Sequence, residues 1–298
     1  MTLLTTILID GITYASWLFI VALGLTLVFG VLKILNMAHG SFYAVGAYAG
    51  ATVVAWMASM KFSPMLSIVG LVVAAAVVAA ALAPLTEKGL LRMFYGRDEV
   101  LLVLVTYAMF LMLEDITKLI WGANPYYASE TYQAFGNLQM GPLNYMGFDI
   151  LLVLLAVGCG FLTWWVLNRT QTGKIVTAVI HSPEVASSMG VNVSRIYTGA
   201  FAVGVFLAAL GGALTAPMIS VQPGLSVGVI IVSFAVVIIG GLGSIQGAAI
   251  GALVVGLARA ASVHIWPPAE LFSIYVVMAI ILMFKPEGLF QRIQARKI

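Results

Sequence analysis

Residues 196–258 read IYTGAFAVGVFLAALGGALTAPMISVQPGLSVGVIIVSFAVVIIGGLGSIQGAAIGALVVGLA, 63 positions without one Asp, Glu, Lys or Arg. A soluble domain carries about 25% charged residues, so a run of this length has no place on a water-exposed surface. One membrane helix needs about 20 apolar residues, and the run is far longer than that. Within it and just beyond, Val227–Val263 spans 37 residues, too long for one helix and cramped for two, with breaks at Gly240, Gly241 and Gly243.

The rest of the chain has the same character. Of 298 residues, 62% are hydrophobic and 8% charged, with 14 Lys+Arg against 11 Asp+Glu. That composition excludes a water-soluble enzyme, a disulfide-stapled secreted domain and a disordered tail. Further charge-free stretches run Gly11–Leu32, Phe42–Met60, Met65–Ala83, Val100–Leu113, Ile150–Asn168 and Leu271–Phe284. None alternates polar and apolar as the strands of a membrane barrel would, and lipid gives the backbone no hydrogen-bonding partner. The fold expected is therefore an all-α polytopic membrane protein, a single transmembrane domain of eight or nine helices. Met1–Asp10 holds no Lys or Arg, so a cleaved signal peptide is not expected. Cys159, the lone cysteine, offers neither a disulfide nor a zinc site.

Cations set the orientation. Lys88, Arg92 and Arg97 form one cluster, Arg169, Lys174 and Arg195 a second, and Lys285, Arg292, Arg296 and Lys297 a third. Lys and Arg favour cytoplasmic loops, so these segments and the C-terminus are expected to be cytoplasmic. Basic cytoplasmic loops also account for a pI near 9 without a nucleic-acid partner. Residues 122–149 have no cation and are rich in Tyr, Asn, Gly and Pro, as an external loop would be. The side of the N-terminus is open.

Two stretches do not divide into plain spans. Thr6–Met60 carries Lys33, Asn36 and His39 in its middle, and Val227–Val263 is the other. Both fit discontinuous or re-entrant helices of the kind that build transporter sites; tight turns at the membrane surface are the simpler alternative. HGSFYAVGAYAG and LGSIQGAAIGAL share a Gly-Ser start but no gap-free register.

Chemistry-bearing motifs are scarce. No GxxxxGK[ST] loop, HExxH, Cys/His cluster or Ser-elbow is present. The carboxylates best placed for ion coupling are Glu114 and Asp115, followed by Lys118. Glu114 and Lys118 are spaced to pair on one helix face, which favours an interfacial ion pair over a proton relay. Gly243, Gly247 and Gly251, Gly46 and Gly50, and Ala200, Gly204, Ala208 and Gly212 form small-residue faces. Close helix packing is their expected role.

The segment 169–195 contains a short helix in prospect. Ser182 suits the cap, Pro183 the first position, Glu184 the positive end of the dipole, and Gly190 the stop. The spacing predicts two turns, Pro183–Met189, with Val185, Ala186 and Met189 on one side. Such an apolar edge fits docking into another protein; a helix lying on the membrane surface is the alternative.

These residues also carry a resemblance. GLTLVFGVLKILNMAHGSFYAVGAY, IIGGLGSIQGAAIGALVVGL, KPEGLF (Lys285–Phe290) and PEVASSMGVNV occur in the order seen in permease subunits of branched-chain amino acid ABC importers, and the chain resembles that family over nearly its whole length. The resemblance implies a heteromeric importer of a bacterial inner membrane. This chain would pair with a second, homologous permease subunit. Two cytoplasmic ATPase subunits would bind the ATP and Mg, and a periplasmic substrate-binding protein would deliver the solute. No cofactor is implied on this chain, which would be non-catalytic. Pro183, Glu184, Val185, Ala186, Met189 and Gly190 match the ATPase-coupling loop. Asn36, His39, Gly40 and Ser41 match one broken segment, and Gly241, Gly243 and Ser244 the other, as lining of the substrate path.

Val185 stands where the family's first Ala is usual, Thr177 where an Arg is usual, and His181-Ser182 where a polar-acidic pair is usual. Relatives of similar sequence carry amides, urea or aromatic carboxylates. The mechanism expected is alternating access at the interface of two permeases, with Ser41 and Ser244 each opening a half-helix near the midplane. His39 would line the path or, more simply, hydrogen-bond a carbonyl exposed by the break. An autonomous proton-coupled secondary transporter using Glu114 or Asp115 is the runner-up. A membrane-embedded enzyme would need a convergent Asp, His or Cys cluster, which the sequence lacks.

Overall fold

The structure, a computed structural model, describes residues 2–140 and 143–290; Arg292, Arg296 and Lys297 of the third cationic cluster lie outside them. Helices dominate. In chain order they are α1 (Thr2–Leu32), α2 (His39–Ser59), α3 (Ser67–Glu87), α4 (Glu99–Trp121), the single turn α5 (Glu130–Gln133) and α6 (Gly147–Arg169). They continue with α7 (Gln171–His181), α8 (Pro183–Ser188), α9 (Val193–Thr215), α10 (Leu225–Gly240), α11 (Ile245–Ile265) and α12 (Glu270–Phe284). Among the described residues seven are long and apolar enough to cross a membrane, and Leu225–Gly240 and Phe272–Phe284 are two shorter apolar helices. Expected and observed spans therefore agree. α4 runs past Leu113 to Trp121 and α11 past Ala258 to Ile265, because isolated charges such as Glu114 and Arg259 are tolerated on faces where they find partners.

Successive apolar helices run up and down. The end of α3 meets the start of α9, where the Thr198 hydroxyl donates to Glu87 at 2.7 Å. At that same face α1 ends beside the α10–α11 turn, with Gly30 against Gly243, and the chain after α12 bonds the last turn of α10 through Leu289 N–H to Ile239 O at 2.9 Å. The Lys88–Arg97 and Arg169–Arg195 clusters occupy this face. Segment 122–146 lies on the other. It is more ordered than a plain loop, with α5 and an antiparallel hairpin of β1 (Asn137–Met140) and β2 (Leu143–Met146). There Tyr126 and Val221 exchange backbone hydrogen bonds and His264 pairs with Asp10 at 2.7 Å. The odd number of passes places the start of α1 on the face opposite the cations.

The core surrounds α9, which packs on α1, α2 and α3. Small residues allow the contact. A Cβ on Gly212 would fall 1.9 Å from the Tyr43 carbonyl oxygen, and one on Gly46 2.2 Å from that of Ala209. These small-residue faces pack within the bundle, and the packing rests on dispersion contacts between backbones.

Candidate functional site

The break after α1 is re-entrant. Lys33 takes a left-handed φ of 58° and the chain turns back along α1, so α2 begins level with Val21 and Gly24, far from the end of α1 at Leu32. A chain that turns inside the bundle must pair its backbone N–H groups there: His39 and Ser41 N–H bond the Asn36 and Ala38 carbonyls at 3.2 and 3.0 Å, and side chains take the two N–H groups just before α2. Asn36 Oδ1 accepts from Ala38 N–H at 3.1 Å, and Thr106 Oγ1 on α4 accepts from Met37 N–H at 3.2 Å. The Ser41 hydroxyl donates to the Phe110 carbonyl at 3.2 Å. Gly40 lets α10 approach, since a Cβ there would lie 2.5 Å from the Ser226 carbonyl oxygen. Asn36, His39 and Ser41 are fully buried.

His39 Nε2 lies 3.0 Å from the Val21 carbonyl oxygen and must carry the proton to donate to it. The expectation of a carbonyl freed by the break is corrected: Val21 belongs to the uninterrupted α1, and the imidazole adds a second donor to a carbonyl within the helix. His39 Nδ1 and Asn36 Nδ2 are buried without a partner.

The second break is a turn of four residues, 241–244. Gly241 (φ 101°) and Gly243 (φ 82°) take backbone conformations that side chains disfavour. Ser244 caps α11, its Oγ accepting from Gly247 N–H at 3.0 Å. Two helices fit into the 37-residue stretch because α10 is short and because Gly240 and Gly247 bring the backbones together. The two breaks do not meet. Gly40 packs at the start of α10 and Ser244 follows its end, about 24 Å apart along a helix of 16 residues.

On the cationic face, α7 and α8 fill the 169–195 segment. α8 follows the expected design: Ser182 Oγ accepts from Val185 N–H at 3.4 Å, Pro183 opens it, and Gly190 stops it with φ 87°. It ends one residue early, at Ser188, with Met189 as the cap residue. The expected three-residue apolar edge is corrected as well. Val185 and Met189 are exposed at 59% and 80%, whereas Ala186 is buried at 3%. One turn separates Val185 from Met189, while Ala186 points about 100° away, inward. Beyond α8, Glu87 links α9 to α3 by accepting from Thr198 and, at 3.1 Å, from the Tyr95 hydroxyl. Burial, and then the Glu87 charge, push the Tyr95 phenol up, so it stays a donor.

Opposite the cations is a cavity of about 490 Å³ among α1, α2, α10 and α11 and the segment after Trp121. Asp10, Asp149, Arg259 and His264 line it together with Tyr14, Tyr43 and Tyr132. Arg259 forms an ion pair with Glu270 and stacks 4.2 Å from the centre of the Tyr14 ring. Tyr132 donates to both oxygens of Asp149 at 3.3 Å; burial and then the Asp149 charge push its phenol up to about 12. The apolar cluster of Val21, Tyr43 and Val229, with Trp17 and Leu225 against it, closes the inner end above the His39 break. Glu114 is engaged elsewhere: it accepts from Gly224 N–H at 2.7 Å and from the Ser226 hydroxyl, capping α10. Lys118 lies 4.0 Å from Glu114 and 3.4 Å from Asp115.

Residues 7–284 match the sequence profile described as the branched-chain amino acid transport system / permease component. The chain belongs to this family. BraD of Pseudomonas aeruginosa, a high-affinity branched-chain amino acid transport system permease protein, is 24% identical over 300 residues, with 98% of this chain and 97% of BraD covered. LivH of Escherichia coli K12, of the same description, is 23% identical over 303 residues, covering 97% and 96%. The fructose import permease protein FrcC of Rhizobium meliloti is 38% identical over 133 residues, 42% of this chain and 36% of its own. No solved structure matches the chain.

This permease component is a multi-pass membrane protein that serves transport, and the secondary-transporter reading is not favoured. Its sequence hid several residues. Thr106 and Glu87 look like ordinary helix residues until the fold brings the Met37 and Thr198 partners to them. Asp10, Asp149, Arg259 and His264 are scattered across 255 positions. Their signal is that ionisable residues within apolar helices are costly and usually functional.

Proposed function

We propose that this permease component is one half of the translocation unit of an ATP-binding cassette importer for branched-chain amino acids or a related small solute, in a bacterial inner membrane with its C-terminus cytoplasmic. A second homologous permease subunit completes the unit, two cytoplasmic ATPase subunits bind the nucleotide, and a periplasmic binding protein delivers the solute. The observation that carries the reading is α8: a capped helix of six residues that turns Val185 and Met189 outward on the cationic face while Ala186 anchors it. Such an edge fits a groove on an ATPase. Movement of α8 would pass to α9, which follows it directly, and from α9 to α3 through Thr198 and Glu87. The relatives named for branched-chain amino acid transport support the solute class. Asn36, His39, Gly40 and Ser41, and at the other end of α10 Gly241, Gly243 and Ser244, would border the moving path.

The test is purification of the chain from its native membrane in gentle detergent, with mass spectrometry of its companions. Two nucleotide-binding subunits and a related permease are expected. A chain that emerges alone and still moves solute in vesicles overturns the reading. Glu184→Trp or Gly190→Trp should cut uptake at least tenfold at unchanged membrane level; normal uptake removes α8 from coupling. Normal transport by both Ser41→Trp and Ser244→Trp would take those positions out of the path.

A further inference from the structure

We infer that the cavity between α1, α10 and α11 is a binding site for an amino acid in its zwitterionic form, formed within this one chain. Its ammonium would lie between Asp10 and Asp149, its carboxylate at Arg259, and its apolar side chain on Trp17, Leu225 and Val229. The assignment of an amino acid as the solute rests on the function proposed above; the recognition chemistry rests on the cavity.

Charge balance is the first argument. Asp10 and Asp149 line the cavity, and Glu270 reaches its edge through Arg259. Three carboxylates therefore face one permanent cation, Arg259, and one imidazole, His264, which is charged only when protonated. Asp149 is buried in the first turn of α6, and it accepts from a neutral phenol, Tyr132, and from the Met146 backbone N–H, with no cation in direct contact. Asp10 lies close enough to add its repulsion. A buried carboxylate without a cationic partner is costly, and a ligand bearing a positive charge relieves two at once. Among the described residues no His, Cys, Asp or Glu group is arranged to hold a metal ion, so the donors suit an ammonium, whose N–H groups reach separate acceptors.

The second argument is the guanidinium. Arg259 has five N–H donors in a planar fork. Tyr14 holds the plane from one side and Glu270 occupies one NH2 group, leaving donors for a second carboxylate. The third is size and lining. About 490 Å³ is within the range of small-molecule sites, roughly 300–1,000 Å³, and the inner end is apolar. A ligand with both charges at one end and a hydrocarbon at the other matches this division: the ammonium faces Asp10 and Asp149, the carboxylate faces Arg259, and the hydrocarbon rests on the cluster that seals the cavity from the His39 break. The cavity is thus an entrance-side station, reached before the path opens.

Binding of radiolabelled leucine to the intact complex in lipid nanodiscs tests this, with two competitors: isoamylamine, which lacks the carboxylate, and 4-methylpentanoate, which lacks the ammonium. Leucine should bind saturably and both competitors at least tenfold more weakly. Asp149→Asn, which keeps the shape and the Tyr132 contact, should weaken leucine binding at least tenfold, and Arg259→Lys should do so while preserving the charge. Displacement by isoamylamine as tight as leucine itself would show a simple cation site and overturn the zwitterion. Unchanged leucine binding in Asp149→Asn and Arg259→Lys, with ATP-dependent uptake intact, overturns the site while leaving the proposed function standing. Specific leucine binding by a chain that leaves its native membrane without ATPase companions and still moves leucine in vesicles would instead overturn the proposed function and keep the site.

Discussion

α1 and α6 are equally apolar by sequence, yet 78% of the best membrane window of α1 is buried inside the protein and only 11% of that of α6. Hydropathy therefore tells that both cross, not what they face. The difference lies in residue size and position. Gly24 of α1 meets the Gly204 carbonyl of α9, and Gly11 meets the backbone of α11 at Gly256 and Leu257; both contacts close only without a side chain. α6 presents Leu154, Val157, Phe161 and Leu162 outward, and the region around its Gly158 is open space. In lipid there is no hydrophobic drive to bring helices together, so small residues and polar contacts decide which helix becomes core.

Substitutions can break that contrast. The largest effect is expected for Gly212→Leu, which would drive a side chain into the Tyr43 carbonyl. Overpacking commonly costs about 1–3 kcal/mol, and a backbone clash is at the top of that range or beyond it, so size-exclusion in detergent should show little folded protein. Next is Glu114→Ala, which strips the partner from Gly224 N–H and the Ser226 hydroxyl. Gly224 is exposed but Ser226 is fully buried; an unsatisfied buried group costs about 1–3 kcal/mol, and thermal unfolding in detergent should fall accordingly, with Glu114→Gln recovering part. Thr106→Val should cost about 1–3 kcal/mol by leaving Met37 N–H unpaired; an unchanged unfolding temperature would mean that α4 does not hold the re-entrant segment. The smallest effect is expected for Gly158→Leu on α6, within about 0.5 kcal/mol. If that chain is stable but no longer recovers its partner permease, the exposed face of α6 is the subunit interface; if assembly is unaffected, that face meets lipid.

Legibility followed the range of the interactions. The apolar passes, the caps of α8 at Ser182 and Pro183, and the stop at Gly190 depend on residues a few positions apart, and the sequence displays them. The interruptions near Asn36 and Gly241 were visible for the same reason. Their depths were not. The first re-enters because Lys33 turns the chain and Thr106 and Phe110, about 70 positions away, receive it; the second is a turn at the face where α1 ends. α7 is a mixed, modestly apolar segment with Lys174 inside it, so no charge-free run marks it. The direction of Ala186 also depended on α7 and α9, which the spacing within α8 cannot report.

Composition settled that the chain lives in a membrane, since 62% hydrophobic residues have no soluble solution, and the lack of polar–apolar alternation left helices rather than a barrel. Local order settled where helices start and stop. Only the tertiary structure decided which equally apolar helices are core, how deep each break lies, and that Asp10, Asp149 and Arg259 share one cavity. Those outcomes depend on contacts between residues far apart in the chain, made possible by glycines that let backbones touch and by buried polar groups that must find a partner wherever the fold supplies one.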